Sequence, residues 1–298
     1  YATVADADAA NDLADLQSYP DLQYQRATVL QEEDDIYHLK MDYLLTCKEQ
    51  NVVHTEIMVE PQTYAPNGVS FATMMNGFQR AIDEAQTGWG QSVLLILSFL
   101  RHLSEEDALA TLAQAEPFKD QFVAIGLASS ELGHPPDKFL RLYAAAKEQG
   151  YKAVAHAGEE GPPSYVWDAI KQLQVDRIDH GVRSIEDPTL ISKLIEEQIP
   201  LTVCPLSNVR LRVFQNMSEH NILKLLDDGV CVTVNSDDPA YFGGYMNENF
   251  IALETELGMN PKQSLQLVKN GFAASFLSAD LIAGYTAQVD AYASAHQL

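Results

Sequence analysis

Two adjacent carboxylates, Asp237 and Asp238, follow an apolar run and directly precede a proline. The run from Val230 to Val234 is typical of a buried strand, and Pro239 ends it. Metals and substrates of α/β proteins bind beyond the carboxyl ends of the strands, so this pair is a candidate for metal or substrate binding. The alternative interpretation is that Asp238 and Pro239 only begin the next helix, as Asp-Pro pairs often do.

A histidine and a glutamate follow another predicted strand. In the stretch Ala155-His156-Ala157-Gly158-Glu159, His156 lies at the strand end and Glu159 in the turn after it. A neutral imidazole is a common metal ligand, and a carboxyl group near a metal has a proton affinity suited to general acid or base catalysis. The alternative is a polar loop that starts a helix, although Gly158 permits the close approach of a ligand.

Further polar side chains follow two other predicted strands. His180 comes between Asp179 and a glycine at a strand end, which suits acid-base chemistry or stabilisation of an oxyanion, although a lone histidine there is more often structural. Ser129 and Glu131 end the strand before His156. They can hydrogen-bond a heterocycle, and helix capping by the serine is the alternative interpretation.

The order of the predicted elements explains how these side chains can meet. Apolar strands alternate with helical segments, which indicates a parallel sheet covered by helices. No G-x-G-x-x-G turn, typical of doubly wound dinucleotide-binding sheets, occurs in the sequence. We therefore predict an α/β fold, a TIM-like (β/α)8 barrel that forms a single domain over residues 1–298, with its first strand missing from the chain. The seven predicted strands cover residues 52–59, 93–100, 122–127, 152–156, 177–180, 199–204 and 230–236.

The predicted helices follow the same alternation. Helical spacing of apolar residues, caps and glycine stops place them at about residues 34–50, 71–85, 105–115 and 135–150, with further helical faces at 166–173, 190–195 and 222–226. Ser104 is the expected cap of the third helix, and residues after about 247 are expected to be helical throughout. In a barrel all strand ends converge on one face. His156, Glu159, His180 and Asp237 would then share one mouth, which describes a metal-activated water with groups that transfer protons, a hydrolase site.

Composition and charge exclude several classes of partner. The net charge of −23 repels the phosphates of nucleic acids and anionic lipid surfaces, so neither is an expected partner. The three cysteines include no Cys-x-x-Cys pair, which argues against a thiolate zinc site and indicates a reducing, cytoplasmic compartment. No apolar run of about 18 residues predicts a membrane span. Assembly into a homo-oligomer is left open.

Four motifs together resemble the adenosine/adenine deaminase family of zinc amidohydrolases, and most of all its microbial adenine deaminase branch. Stretches at residues 99–106, 133–136 and 235–245 are also similar to that branch, and the resemblance covers nearly the whole chain. The four motifs are, in order, His156-Ala157-Gly158-Glu159, Asp179-His180-Gly181, Cys204-Pro205-Leu206-Ser207-Asn208 and Ser236-Asp237-Asp238-Pro239.

The resemblance implies hydrolysis of adenine to hypoxanthine and ammonia, with one Zn²⁺ per chain. It implies that His156 and Asp237 bind the zinc and that Glu159 protonates the ring nitrogen beside the carbon under attack. His180 would assist deprotonation of the attacking water and steady the oxyanion, and Asp238 would hold the imidazole-side nitrogen of the purine. The segment from Pro205 to Asn208 is expected to shape the site without reacting.

The chain departs from the family pattern in two places. The family takes two further zinc ligands from a His-x-His pair at the end of its first strand, and no His-x-His occurs in these 298 residues. We expect the pair and the eighth strand upstream of Tyr1. If the His-x-His pair is absent, the alternative function is that of an inactive barrel that binds purines. Within the family, the alternative to adenine as the substrate is adenosine. The second departure is Ala128, where the adenine branch leads us to expect an acidic residue.

Overall fold

The computed structural model describes residues 24–298 apart from residue 26. The described residues fall into two compact units. The N-terminal unit ends at Ala155 and also takes in Asp168–Val175, and the C-terminal unit comprises His156–Trp167 and Asp176–Leu298. The single domain over residues 1–298 stays a prediction, and most of the helix and loop expected before residue 30 lies outside the described residues.

The N-terminal unit contains a parallel sheet whose strands pair in chain order. Ile57 lies opposite Leu95 in the first pair, and the second pair contains an irregularity between Leu95 and Ile96. The third pair is short and joins Ala124 and Ile125 to Lys152 and Ala153. The strands are β1 (His54–Val59), β2 (Ser92–Leu100), β3 (Phe122–Ala128) and β4 (Lys152–Ala157), whose last two residues belong to the C-terminal unit.

Helices follow these strands, as the sequence predicts. Ser104 accepts a hydrogen bond from the backbone N–H of Asp107 at 3.1 Å, so the predicted cap is confirmed. The helix predicted over residues 135–150 is split, because Pro136–Phe139 forms a 3₁₀ turn before the α-helix begins. The helices are α1 (Glu33–Glu49), α2 (Pro61–Tyr64), α3 (Phe71–Trp89), α4 (Glu105–Ala115) and α5 (Leu140–Glu148).

The C-terminal unit contains three short parallel strands, β5 (Arg177–His180), β6 (Leu201–Val203) and β7 (Val232–Val234). Ile178 lies opposite Leu201, and Thr202 lies opposite Thr233. The last two strands are shorter than predicted because the chain turns away from the sheet before Pro205 and Pro239, each of which starts a helix.

Helices make up the rest of the C-terminal unit, and the helical ending predicted after residue 247 is confirmed. Helix α6 (Pro163–Asp168) continues into a π-helical turn, Ala169–Leu173, which belongs to the N-terminal unit. None of the described helices is long and apolar enough to span a bilayer. The other helices are α7 (Pro188–Glu197), α8 (Pro205–Arg210), α9 (Ile222–Asp227), α10 (Pro239–Phe242), α11 (Met246–Leu257), α12 (Pro261–Ala273) and α13 (Ala279–His296).

The contact between α1 and α3 gives a stability prediction. A Cβ added at Gly77 of α3 would lie 2.8 Å from the carbonyl oxygen of Glu33 and 2.9 Å from the Cβ of Ile36. Gly77→Ala therefore forces the helices apart and is expected to lower the free energy of unfolding by about 1–3 kcal/mol. Gly88→Ala in the same helix is the control. Nothing lies within 4 Å of its new Cβ, so it should raise the free energy of unfolding by about 0.5–1 kcal/mol through helix propensity alone. Urea unfolding measures both, and equal effects would contradict the packing argument.

Candidate functional site

The polar residues singled out in the sequence lie where β4, β5 and β7 end. His156 is the second-last residue of β4, His180 is the last residue of β5, and Asp237 follows β7 by three positions. Together with Glu159 and Asp238 they belong to the C-terminal unit, so their mutual geometry is defined. A polar residue thus lies at or just beyond the end of each of these strands, and the roles assigned to these residues stay predictions.

The backbone at these strand ends is left-handed. His180 has φ of 62° and Asp237 has φ of 56°, a conformation that costs a non-glycine residue on the order of 1–3 kcal/mol. Gly158 and Gly181 follow the two histidines with φ of 73° and 70°. An added Cβ would lie 2.6 Å from Val166 at Gly158 and 2.7 Å from Leu201 at Gly181, so only glycine fits these turns without a shift of its neighbours. The strand ends are thereby fixed in one conformation.

Glu159 and His180 meet at Asn208 of α8. The Asn208 amide nitrogen donates to Glu159 Oε1 at 3.2 Å and lies 3.3 Å from His180 Nδ1. His180 Nδ1 and Glu159 Oε1 are 3.5 Å apart. All three residues are at most 3% exposed. The two groups to which the family resemblance assigns proton transfer are therefore close together and buried.

His156 faces a buried carboxylate. Its Nδ1 lies 3.3 Å from Asp179 Oδ2, and its ring centroid is 4.7 Å from that of His180. Burial opposes a charge on His156, but the hydrogen bond and charge of Asp179, together with the charges of Glu159 and Asp237, raise its pKa to about 9. The carboxylates around His156 thus favour a positive charge at this place, which a proton or a metal ion can supply.

Asp179 is itself held from three sides. Thr202 Oγ1 donates to its Oδ1 at 2.9 Å, and the Nε of Arg177 lies 3.9 Å from the same oxygen. Burial acts to raise the pKa of Asp179, but the contact with His156 and the charge of Arg177 outweigh it and lower that pKa. The Arg177 guanidinium also lies 4.5 Å from the ring centroid of Phe276 and donates to the carbonyl of Ala274 at 3.0 Å.

The side chains of Asp237 and Asp238 contact each other but have different further partners. Ser207 Oγ donates to Asp237 Oδ2 at 2.6 Å, while burial raises the pKa of Asp237 in spite of this bond. Asp238 begins α10, because its carbonyl accepts from the N–H groups of Tyr241 and Phe242. Its side chain forms no capping hydrogen bond. The alternative interpretation of the Asp-Pro pair is therefore true of the Asp238 backbone but does not use its carboxylate.

The donor chemistry of these residues fits a divalent metal ion. Because His156 Nδ1 faces Asp179, the other ring nitrogen is the one with which His156 would bind a metal, the arrangement common to metal-binding histidines. Ligand atoms of His180, Cys204 and Asp237 also lie within 4.8 Å of one another. Burial and the surrounding carboxylates raise the pKa of Cys204 well above its usual value, which keeps it a thiol and disfavours it as a ligand. His156 and Asp237 are the better metal donors.

Ser129 and Glu131 belong to the N-terminal unit and are described within it. Ser129 Oγ contacts His102 Nδ1 at 2.9 Å and Tyr24 Oη at 3.2 Å, and its backbone is left-handed with φ of 77°. Glu131 is 1% exposed. Their contact with a substrate stays a prediction.

Three residues of the site were not assigned a role from the sequence alone. Asp179 pairs with His156, Cys204 lies beside Asp237, and His220 contacts Asn208. The motifs that contain Asp179 and Cys204 could have indicated the first two. His220 follows Glu219 in a polar loop, and no sequence signal marks it.

The parallel α/β fold and the donor set are those of a metal-dependent hydrolase of the TIM-like barrel class. The crystal structure of adenine deaminase from Arthrobacter aurescens superposes on this chain with a TM-score of 0.97 at 41% sequence identity. The superposition covers 99% of this chain and 90% of the Arthrobacter chain, and it confirms the TIM-like barrel class. The model of the family described as adenosine deaminase matches residues 2–292. The chain belongs to the adenosine deaminase family.

Two further relatives narrow the comparison. The chain is 54% identical over 296 residues, 99% of its length and 89% of the other's, to a protein from Hahella chejuensis named adenine deaminase. An amidohydrolase from Burkholderia ambifaria, solved with bound zinc, has a TM-score of 0.83 at 25% identity over 89% of this chain and 75% of its own. The family is metal-dependent, as the donor chemistry of the site also indicates.

The close packing at Gly181 gives a prediction with a matched control. Gly181 and Gly258 have the same φ of 70°, but a Cβ added at Gly258 meets nothing within 4 Å. Both alanine variants incur the left-handed strain, whereas Gly181→Ala also pushes against Leu201 of β6. We expect Gly181→Ala to lose about 1–3 kcal/mol more unfolding free energy than Gly258→Ala in urea titrations. A difference near zero would show that β6 yields to the added methyl group.

Proposed function

We propose that this protein is a zinc-dependent adenine deaminase that hydrolyses adenine to hypoxanthine and ammonia. The observation that carries the proposal is the buried group of Glu159, His180 and Asn208 beside His156 and Asp237. Relatives that bear the name adenine deaminase at 54% and 41% identity support adenine as the substrate over adenosine. A cytoplasmic location and a homo-oligomer stay predictions.

His156 and Asp237 are the residues that would hold the zinc, one ion per chain. Bound zinc lowers the pKa of a water ligand to about 7 and so supplies a nucleophile at neutral pH. Because the pKa of His156 is raised to about 9, this ring would have to release a proton near neutral pH in order to bind a metal. The Ser207 hydroxyl holds one carboxylate oxygen of Asp237 and orients the other.

The remaining residues divide the work of the reaction. The attacking water gives its first proton to a base of the site, and its oxygen bonds to C6 of adenine while Glu159 gives a proton to N1. The C6–N bond then breaks as the amino group takes the remaining hydroxyl proton and leaves as ammonia. Glu159 is buried and its Oε1 accepts a hydrogen bond from Asn208, so its carboxyl group is held in place for proton transfer to the ring. Two roles are open to His180: removing the first proton of the water, or donating a hydrogen bond to the developing oxyanion.

Substrate binding is assigned to three carboxyl and hydroxyl groups. Asp238 is proposed to hold the imidazole-side nitrogen of the purine, as the resemblance to the family implies, and its side chain lies beside that of Asp237. Ser129 and Glu131 are proposed to hydrogen-bond the heterocycle. An inactive purine-binding barrel is not favoured, since it gives no reason for a buried acid-base group beside a cation-attracting site.

The proposal is tested by measuring zinc content and ammonia release on the purified protein. About one zinc per chain, with ammonia release from adenine far exceeding that from adenosine, is the expected outcome. Tight purine binding by the zinc-loaded protein without ammonia release would instead show that the protein is an inactive purine-binding barrel. Faster ammonia release from adenosine than from adenine would show that adenosine is the substrate.

Glu159→Gln tests the proton donor. The amide keeps the shape and the contact with Asn208 but cannot give a proton, so kcat should fall by about 10²–10⁴-fold. Zinc content should not change, because Glu159 is not proposed as a ligand. Near-normal turnover would exclude Glu159 from the role.

Asp237→Ala tests the metal site. Loss of the carboxylate should lower zinc affinity at least about 100-fold and lower the rate with it. Mutating a residue that only hydrogen-bonds a metal ligand already lowers metal affinity or activity about 10–100-fold. The control is Asp228→Ala, which removes an exposed carboxylate paired with Lys224 and should change neither quantity. Unchanged zinc content in Asp237→Ala would refute the assignment.

A further inference from the structure

A buried histidine outside the proposed mechanism lies behind the acid-base group. His220 is 4% exposed and precedes α9, and its ring centroid is 4.4 Å from that of Phe214. Its Nδ1 accepts the backbone N–H of Ile222 at 3.2 Å, and its Nε2 lies 3.3 Å from Asn208 Oδ1. Burial lowers the pKa of His220 to about 3, so the ring is neutral under ordinary conditions.

The backbone N–H of Ile222 sets the direction of the whole chain of hydrogen bonds. A backbone N–H can only donate, so His220 Nδ1 carries no proton. A neutral imidazole has one N–H, which must then be at Nε2, and this group donates to Asn208 Oδ1. The carbonyl side of the Asn208 amide therefore faces His220, and this bond fixes which way the amide is turned.

The other side of the Asn208 amide faces the acid-base pair. Its NH₂ group can only donate, and it lies 3.2 Å from Glu159 Oε1 and 3.3 Å from His180 Nδ1. The NH₂ group has one N–H for each of these atoms, which makes His180 Nδ1 an acceptor. The competing partner, to which a protonated Nδ1 would donate, is Glu159 Oε1 at 3.5 Å. The Asn208 backbone is anchored as well, because its N–H donates to Cys204 and its carbonyl accepts from Val213 at 2.9 Å.

We propose that His220 and Asn208 are positioning residues that hold neutral His180 in the tautomer with its proton on Nε2. The proposal rests on the proposed function for its catalytic meaning and goes one step further. A ring with Nε2–H directed away from Asn208 donates a hydrogen bond, so of the two roles open to His180 the chain selects stabilisation of the oxyanion. The first proton of the attacking water then passes to a carboxylate of the site instead of to His180.

The tautomer can be read directly by NMR of the zinc-loaded full chain labelled with ¹⁵N-histidine. We expect His180 to show a proton-free Nδ1 and a protonated Nε2, with its signals assigned from their loss in His180→Gln. Asn208→Asp replaces the donating NH₂ by an oxygen that accepts, so it should invert the His180 tautomer and lower kcat by about 100-fold without loss of zinc. The control for added charge is Asn51→Asp, at an exposed position in the N-terminal unit, which should change neither the His180 tautomer nor kcat.

A pair of variants at His220 tests the origin of the effect. His220→Gln keeps an N–H donor for Asn208 and an acceptor for Ile222, and it should retain the His180 tautomer and most of the rate. His220→Leu removes both and should release the Asn208 amide, giving mixed His180 tautomers and a loss in kcat of about tenfold with little change in KM.

Two results would overturn the inference: a proton on Nδ1 of His180 in the unaltered protein, or an unchanged tautomer in both Asn208→Asp and His220→Leu. The NMR measurement does not depend on turnover. Expected tautomers without ammonia release from adenine would sink the proposed function and leave the positioning chain intact, whereas adenine turnover with the opposite tautomer would sink the positioning chain alone.

Discussion

Buried negative charge is the constraint on which the site depends. Glu159 and Asp179 are each at most 3% exposed, and Asp237 lies close enough to affect the pKa of both His156 and Cys204. Carboxylates shielded from water are costly unless donors or cations compensate them. Each of these carboxylates accepts a side-chain hydrogen bond. The donors are Asn208 for Glu159, Thr202 for Asp179 and Ser207 for Asp237. Their combined charge makes this end of the C-terminal unit a place for a cation.

The strained backbone at the strand ends helps to place these polar side chains at the site. In the C-terminal unit left-handed residues end or follow two strands, at His180 and Asp237, where ordinary strand geometry would point the next side chains elsewhere. Such strain persists only where the surroundings enforce it. The tight turns at Gly158 and Gly181, where a larger residue would push against Val166 or Leu201, supply that enforcement beside the two histidines.

The sequence predicts the parts of this site that depend on local order. His156, His180 and Asp237 could be placed because strand and helix alternate strictly, and parallel strands end on one side. The same reasoning could not find His220, because its importance comes from a contact with Asn208 across a loop and from one backbone N–H. Strand lengths and the break before α5 also escaped prediction, since prolines and packing decide them locally.

The contacts of the Arg177 side chain limit where the chain can be shortened near α13. No residue of α13 is buried, so the helix looks like a convenient place for trimming or for a fused tag. The segment before it is different, because Ala274 and Phe276 hold the guanidinium that faces Asp179, which in turn faces His156. A boundary drawn after Phe276 keeps that support in place. Ending the chain a few residues earlier would remove the contacts of Arg177. The loss would affect His156, a candidate metal ligand, through Arg177 and Asp179, although His156 is far from the cut in the sequence.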